Sequence, residues 1–231
     1  MATSKANLVF DYRALRLLMG IIAFALPFVL SFISPIPLSS ISGSYYTAAR
    51  NMFVGLLFFV SAFLFAYNGH STVESVASKL ASLAAIMVAL FPTNCDSCAA
   101  DANAIVHYAF AITLFSILAY FCFFPFRTKI KGKGGKKARR NAIYLLCGWI
   151  IVGSVLVAGL GKYFYPESTK APIFIIYWAE AISLWAFGIA WITAGKVIPA
   201  LVEEKDQLKP REILQPQKQT AQSRSAEQKA E

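Results

Sequence analysis

Ionisable side chains are scarce in this sequence. Asp, Glu, Lys and Arg make up 15% of its 231 residues, 57% of the residues are hydrophobic, and histidine occurs only twice. A zinc centre needs about three His, Cys or carboxylate ligands, so membrane hydrolases with histidine-rich metal centres are disfavoured. The sequence also has no G-x-S-x-G segment to mark a serine nucleophile. We assign no catalytic residue, no metal and no cofactor.

Long apolar stretches fill most of the chain instead. A helix needs about 17–25 apolar residues to cross a membrane core that is about 30 Å thick. We therefore predict an all-α polytopic membrane protein with six transmembrane helices in one bundle. The stretches lie at about residues 15–34, 47–67, 80–93, 103–126, 142–161 and 172–195. The third is the weakest, which predicts a span that is short, tilted or extended by its flanks.

The basic residues predict the orientation of the bundle. If the spans alternate in direction, 19 of the 22 lysines and arginines fall on one side of the membrane. The positive-inside rule places this side, and both termini, in the cytoplasm, as in a multi-pass protein of a bacterial inner (plasma) membrane. The predicted parts are a cytoplasmic N-terminus (1–12), the transmembrane domain (13–197) and a disordered polar cytoplasmic tail (198–231). Topology and contact with anionic lipids explain the net charge of +10 without a nucleic acid partner.

The predicted spans contain few ionisable residues, and three of these stand out because such residues are costly within a membrane and indicate function by default. They are Arg50 in span two, His107 in span four and Glu180 in span six, all in the predicted outer half of the membrane. We predict that Arg50 and Glu180 lie close together. Two interpretations remain open, namely a buried ion pair that joins two helices and a polar pocket that opens to the outer leaflet.

In the pocket interpretation, the arginine contacts a phosphate or carboxylate, the glutamate is its counter-ion and the histidine titrates beside them. Two tyrosines form the rim, and an aspartate begins span four on the same side. The candidate ligand-binding residues are Arg50, His107, Glu180, Tyr45, Tyr46 and Asp101.

The four cysteines fall into two groups. Cys95 and Cys98 form a C-x-x-C on the predicted outer side, where a disulfide would stiffen the loop. This interpretation is favoured over a redox catalyst because a thioredoxin-like context is absent. Cys122 and Cys147 lie in apolar stretches and are predicted to be small buried hydrophobic residues.

Small and aromatic residues suggest how the helices pack. Small residues spaced four apart in spans five and six favour close helix contacts, either within one chain or in a homo-oligomer. Amphipathic aromatic rings are typical of the two membrane–water interfaces. The aromatic residues that we assign to these belts are Trp149, Trp178, Trp191, Tyr45 and Tyr46.

Several short segments resemble those of known membrane proteins. They are Ser40–Gly55, Ala89–Thr93, His107 at the start of a Phe-rich span, Trp178–Glu180 and Phe187–Trp191. Together they resemble a group of uncharacterised bacterial six-helix membrane proteins and, more distantly, the DRAM-like family, which includes GPI-anchor-remodelling factors. The resemblance spans about residues 13–196. It implies a lipid-associated function carried by Ser42, Arg50, His107 and Glu180.

Three functional hypotheses follow. The favoured one is a non-catalytic integral membrane protein whose outer pocket binds a lipid or amphiphile. The alternative is an accessory or scaffold subunit of a larger membrane complex, with other membrane proteins as partners besides lipids. The third is a lipid-acting membrane hydrolase with His107 as the base.

Overall fold

Long apolar helices form almost the whole structure. The structure, a computed structural model, describes residues 12–69, 71–94, 102–128, 134–164 and 174–202, and these residues contain no strand. The α-helices are α1 (Tyr12–Ile33), α2 (Arg50–Ala66), α3 (Thr72–Leu90), α4 (Ala102–Phe123), α5 (Pro125–Thr128), α6 (Gly135–Phe164) and α7 (Ile175–Ala194). Two 3₁₀ helices are η1 (Ser42–Tyr46) and η2 (Pro199–Leu201).

The helices have the length and composition of membrane spans. Five of them, α1, α3, α4 continued through α5, α6 and α7, are long and apolar enough to cross a membrane. The helix α2 is apolar but slightly shorter, with 17 residues. The predicted all-α fold of a multi-pass membrane bundle is confirmed, whereas the cytoplasmic placement of the termini stays a prediction.

The six long helices form a closed ring. Each packs against the next along the chain, in the order α1, α2, α3, α4, α6 and α7, and α7 packs against α1. The starts of α1, α3 and α6 meet the ends of α2, α4 and α7 at one end of the ring, as the contacts of Arg16 with Tyr67 and Ala194 show. We call this the basic end, since most of the described lysines and arginines lie there, and the opposite one the distal end.

Two glycines allow α1 and α7 to pack backbone against backbone. A methyl group at Gly20 would lie 2.7 Å from the carbonyl oxygen of Gly188, and one at Gly188 would lie 2.8 Å from that of Gly20. Gly153 and Gly159 of α6 differ, since a methyl group at either position would meet no atom within 4 Å. The close packing predicted from small residues is thus present between α7 and α1, whereas part of α6 faces open space.

Hydroxyl groups join α2 to α3 inside the ring. The Ser61 hydroxyl lies 2.9 Å from that of Ser82 and donates to the Ser82 carbonyl oxygen, while Ser78 donates to the carbonyl oxygen of Leu64 at 2.6 Å. All three serines are buried. Such hydrogen bonds stabilise helix pairs in lipid, where an unpaired hydroxyl has no water to bind.

The weak third span is extended by its N-terminal flank. The apolar stretch begins at about residue 80, but α3 begins at Thr72. Ser71 has an extended backbone conformation, and its side chain accepts a hydrogen bond from the backbone N–H of Glu74 at 3.2 Å. A serine in this geometry caps the first turn of a helix. The cap explains why the helix starts among polar residues that hydrophobicity alone leaves out.

We expect Ser71→Ala to lower the free energy of unfolding by about 1 kcal/mol, because the first turn of α3 loses its cap. Ser71→Asp keeps an acceptor at the same position and should retain the stability of the wild type. Thermal unfolding of the three proteins in one detergent measures the difference. Equal stabilities of the alanine and aspartate variants would contradict the capping role.

The start of the predicted tail is ordered. Residues 199–201 form η2, and the Lys136 ammonium donates to the carbonyl oxygens of Pro199 and Val202 at 2.9 and 3.0 Å. Residues 203–231, which make up the rest of the predicted tail, lie outside the described residues. Residues 199–202 therefore lie at the basic end, beside the start of α6.

Candidate functional site

Arg50 begins α2 at the distal end and is held by Tyr45. Its Nη2 donates to the Tyr45 hydroxyl at 2.7 Å, and its guanidinium carbon lies 4.2 Å from the centroid of the Tyr45 ring. Tyr45 lies in η1, and Arg50 is the first residue of α2. A guanidinium is attracted to an aromatic face and has five N–H donors. The side chain is exposed, so this end of the ring presents an oriented cation.

Glu180 fastens the loop before α2 to α7. Its carboxylate accepts hydrogen bonds from the backbone N–H groups of Ile41 and Ser42 and from the Ser42 hydroxyl, the last two at 3.2 Å. Within the described residues, no ion pair joins Glu180 to Arg50, whose contacts are with Tyr45. The predicted direct pair is not formed, because backbone donors of a partly buried turn compete well for a carboxylate and an exposed pair gains little.

Tyr46 and His107 lie along one chain of contacts. The Tyr46 hydroxyl donates to the carbonyl oxygen of Thr93 at 2.6 Å, and the Thr93 hydroxyl is hydrogen-bonded to that of Tyr108. The ring of Tyr108 lies edge-on to His107, with 5.6 Å between the centroids. His107 is buried, and its Nδ1 donates to the carbonyl oxygen of Phe91 at 2.7 Å. These contacts tie η1 to the end of α3 and the start of α4.

The structure thus gathers most of the predicted site at the distal end, but in different roles. Tyr45 packs on Tyr46 with 5.4 Å between ring centroids, so the exposed arginine, the tyrosine pair and the buried histidine are linked through contacts. The histidine is buried and joins α4 to the residue that follows α3. Asp101, Cys95 and Cys98 lie outside the described residues.

An apolar groove separates α6 from α7 at the same end. Its volume is about 530 Å³, and its walls include Gly153, Ser154 and Val157 of α6 with Trp178 and Ile182 of α7. Small residues on α6 create the space, and Trp178 covers one side of it.

A second polar cluster, at the basic end, was missed by the sequence analysis. Arg16 is 7% exposed, and its guanidinium donates to the Tyr67 hydroxyl at 2.6 Å and to the Ala194 carbonyl oxygen at 3.3 Å. It also lies 5.7 Å from the ring centroid of Phe126. The sequence analysis counted Arg16 only as a topology signal, although it falls inside the first apolar stretch. That position was the available indication of a buried charge.

Trp191 lies in the same cluster, so its assignment to an interfacial belt is wrong. Its ring centroid is 5.4 Å from that of Tyr67 and 5.3 Å from that of Phe126, and it is fully buried. Trp149 and Trp178 are exposed, as the belt requires. Two tryptophans at predicted span ends face outward, whereas the third fills the centre of the ring.

Three comparisons with known proteins were made. No family model, curated protein or solved structure matches this chain. The resemblance to the DRAM-like family therefore stays a prediction. In the part of the chain that the structure describes, the side chains that could hold a metal form no group of three, and Cys122 and Cys147 are buried free thiols.

Proposed function

We propose that this integral membrane protein is non-catalytic and binds the anionic head of a lipid or amphiphile at its distal end. The observation that carries the proposal is the exposed guanidinium of Arg50, fixed on the face and hydroxyl of Tyr45. A cation that is already oriented loses less conformational freedom when it binds an anion. Its remaining N–H donors suit the oxygens of a phosphate or carboxylate.

Two further features support this role. The clamp by Glu180 and the link from Tyr46 to Thr93 fix η1 to three helices, so the segment that orients Arg50 is rigid. The groove between α6 and α7 offers about 530 Å³ of apolar space at the same end. An amphiphile has a polar head, which would bind Arg50, and hydrocarbon chains, which would lie along the helices.

The test is lipid retention measured by native mass spectrometry after gentle extraction from the host membrane. We expect Arg50→Ala to reduce the population with bound lipid about tenfold, which corresponds to the loss of one charge-assisted contact. Arg50→Lys should show a smaller loss. Arg139→Ala removes an exposed arginine at the basic end and is the charge-matched control. Retention by Arg50→Ala at the level of this control would contradict the proposal.

One observation favours the accessory-subunit function as a second candidate. Gly153 and Gly159 leave open space beside α6, and small residues of this kind let another membrane helix approach closely. The same mass spectrum would then show a heavier complex of defined composition, and Gly153→Leu should dissociate it. The hydrolase hypothesis has no such support, because a base must reach its substrate and His107 is buried.

A further inference from the structure

Several buried donors at the basic end have no acceptor. Arg16 Nε, Arg140 Nε, Trp191 Nε1 and Thr193 Oγ1 are all buried, and none of them makes a hydrogen bond. Buried polar atoms are nearly always paired, and those of charged groups most of all. Four orphaned donors at one end of a helical ring are unusual and suggest that a ligand supplies the acceptor.

Contacts between rings place these residues in one cluster. Arg16 and Trp191 both contact Tyr67 and Phe126. Phe126 in turn lies 5.3 Å from Tyr144, measured between ring centroids. Arg140 lies four residues before Tyr144 on α6, so the two share one face of the helix. Arg16 of α1 and Arg140 of α6 are thus linked through the rings of Phe126 and Tyr144.

The cluster holds more positive than negative charge. Arg140 is 8% exposed and makes neither a hydrogen bond nor an ion pair in the structure. Glu74 is the one carboxylate at the basic end among the described residues, and it acts on the Tyr67 hydroxyl, which also binds Arg16. The described residues of the basic end thus include two buried guanidinium groups and one carboxylate. A buried charge without a partner is strongly unfavourable, so an anion is the missing component.

We propose that the basic end binds a phosphate group, held by Arg16 and Arg140 with the Trp191 indole N–H as a further donor. Planar guanidinium groups match the oxygens of a phosphate ester. Helix ends lie at the depth of lipid phosphates, and basic pockets between membrane helices bind anionic headgroups on the cytoplasmic side. A lipid headgroup and a water-soluble phosphate share this chemistry. The site is separate from Arg50, so either proposal stands or fails without the other.

The experiment uses the full-length protein in detergent, depleted of lipid, with thermal unfolding and native mass spectrometry as readouts. Three probes separate the contribution of the phosphate headgroup to binding from that of the hydrocarbon chains. They are dioleoylphosphatidylglycerol, dioleoylglycerol and glycerol 3-phosphate. We expect the wild type to bind the phospholipid at least about tenfold more tightly than dioleoylglycerol, because only the phosphate meets the arginines. If glycerol 3-phosphate is the only probe that raises the midpoint of thermal unfolding, the site binds a water-soluble phosphate.

Arg140→Gln is the decisive variant, and Arg139→Gln is its matched control because it removes an exposed charge from the neighbouring position. We expect the first to lose the response to phosphate and the second to keep it. Without added phosphate, Arg140→Gln should be at least as stable as the wild type, since it removes a buried charge that has no partner. A merely structural arginine would lower stability instead.

A second variant covers the case in which Arg140→Gln does not fold. Trp191→Phe keeps an aromatic ring in the core but removes the N–H donor, and we expect it to weaken the response to phosphate. Arg50→Ala, at the distal end, should respond to phosphate like the wild type. The proposal is overturned if the wild type responds to no phosphate probe. It is also overturned if Arg140→Gln responds like Arg139→Gln, or if dioleoylglycerol binds as tightly as the phospholipid.

Discussion

Glu180→Ala is expected to lower the free energy of unfolding by about 3 kcal/mol. The carboxylate accepts from two backbone N–H groups and one hydroxyl in the segment Ile41–Ser42, and each partly buried donor that loses its acceptor costs about 1 kcal/mol or more. Ser42→Ala removes only the hydroxyl and should cost about 1 kcal/mol. Thermal unfolding in detergent ranks the variants, and Glu180→Gln, which keeps one oxygen, should lie between them.

A double-mutant cycle separates this clamp from an ion pair. Since Arg50 contacts Tyr45 and not Glu180, Arg50→Ala and Glu180→Ala should have additive effects, with a coupling energy of less than about 0.5 kcal/mol. A coupling of more than about 1 kcal/mol would restore the ion pair that the sequence predicts. The cycle therefore shows whether Glu180 anchors the loop before α2 or acts as the counter-ion of Arg50.

Gly20→Ala should be the most damaging single methyl addition in the described part of the bundle. The new carbon would lie 2.7 Å from the Gly188 carbonyl oxygen and 2.8 Å from the Ile192 backbone nitrogen. Backbone atoms on a packed helix cannot rotate away, so α1 and α7 must separate along their whole contact. We expect a loss of about 3 kcal/mol in the free energy of unfolding, at the upper end of overpacking effects.

Gly153→Ala is the matched control for this substitution. It adds the same methyl group to another membrane helix, where no atom lies within 4 Å. Its stability should stay within about 1 kcal/mol of the wild type, since alanine even favours the helix slightly. Equal losses for Gly20→Ala and Gly153→Ala would mean that the contact between Gly20 and α7 does not explain the effect.

Hydrophobicity predicted the number of helices well and their limits less well. The membrane imposes long apolar runs on every span, so six stretches gave six long helices. The start of α3 was misplaced because residues from Thr72 onward are held by the Ser71 cap, which hydrophobic length does not report. The helix α6 likewise begins at Gly135, within the basic loop, since charged residues continue a helix once it leaves the lipid.

The functional residues show which information a sequence carries. Arg50 stood out because an arginine within an apolar stretch is rare, and its exposed position supports that choice. The partners of Glu180 could not be predicted, since they are backbone donors whose position depends on the path of a loop. Arg16 was overlooked because a basic residue at a span end satisfies the positive-inside rule whether it faces lipid, water or protein. Only the packing of α1 on α7 reveals its burial.

The contact between α1 and α7 has a consequence for biosynthesis. The ribosome makes a chain from its N-terminus, so an early segment is present before the later segments that pack against it. The carbonyl oxygen that binds Arg16 belongs to Ala194, and the surface that fits Gly20 belongs to Gly188. Because α1 is synthesised before α7, its face at Gly20 is unfilled and the Arg16 guanidinium lacks its Ala194 acceptor until α7 is inserted. During this interval α1 depends on its neighbour α2, on lipid headgroups or on an insertion factor to remain in the membrane.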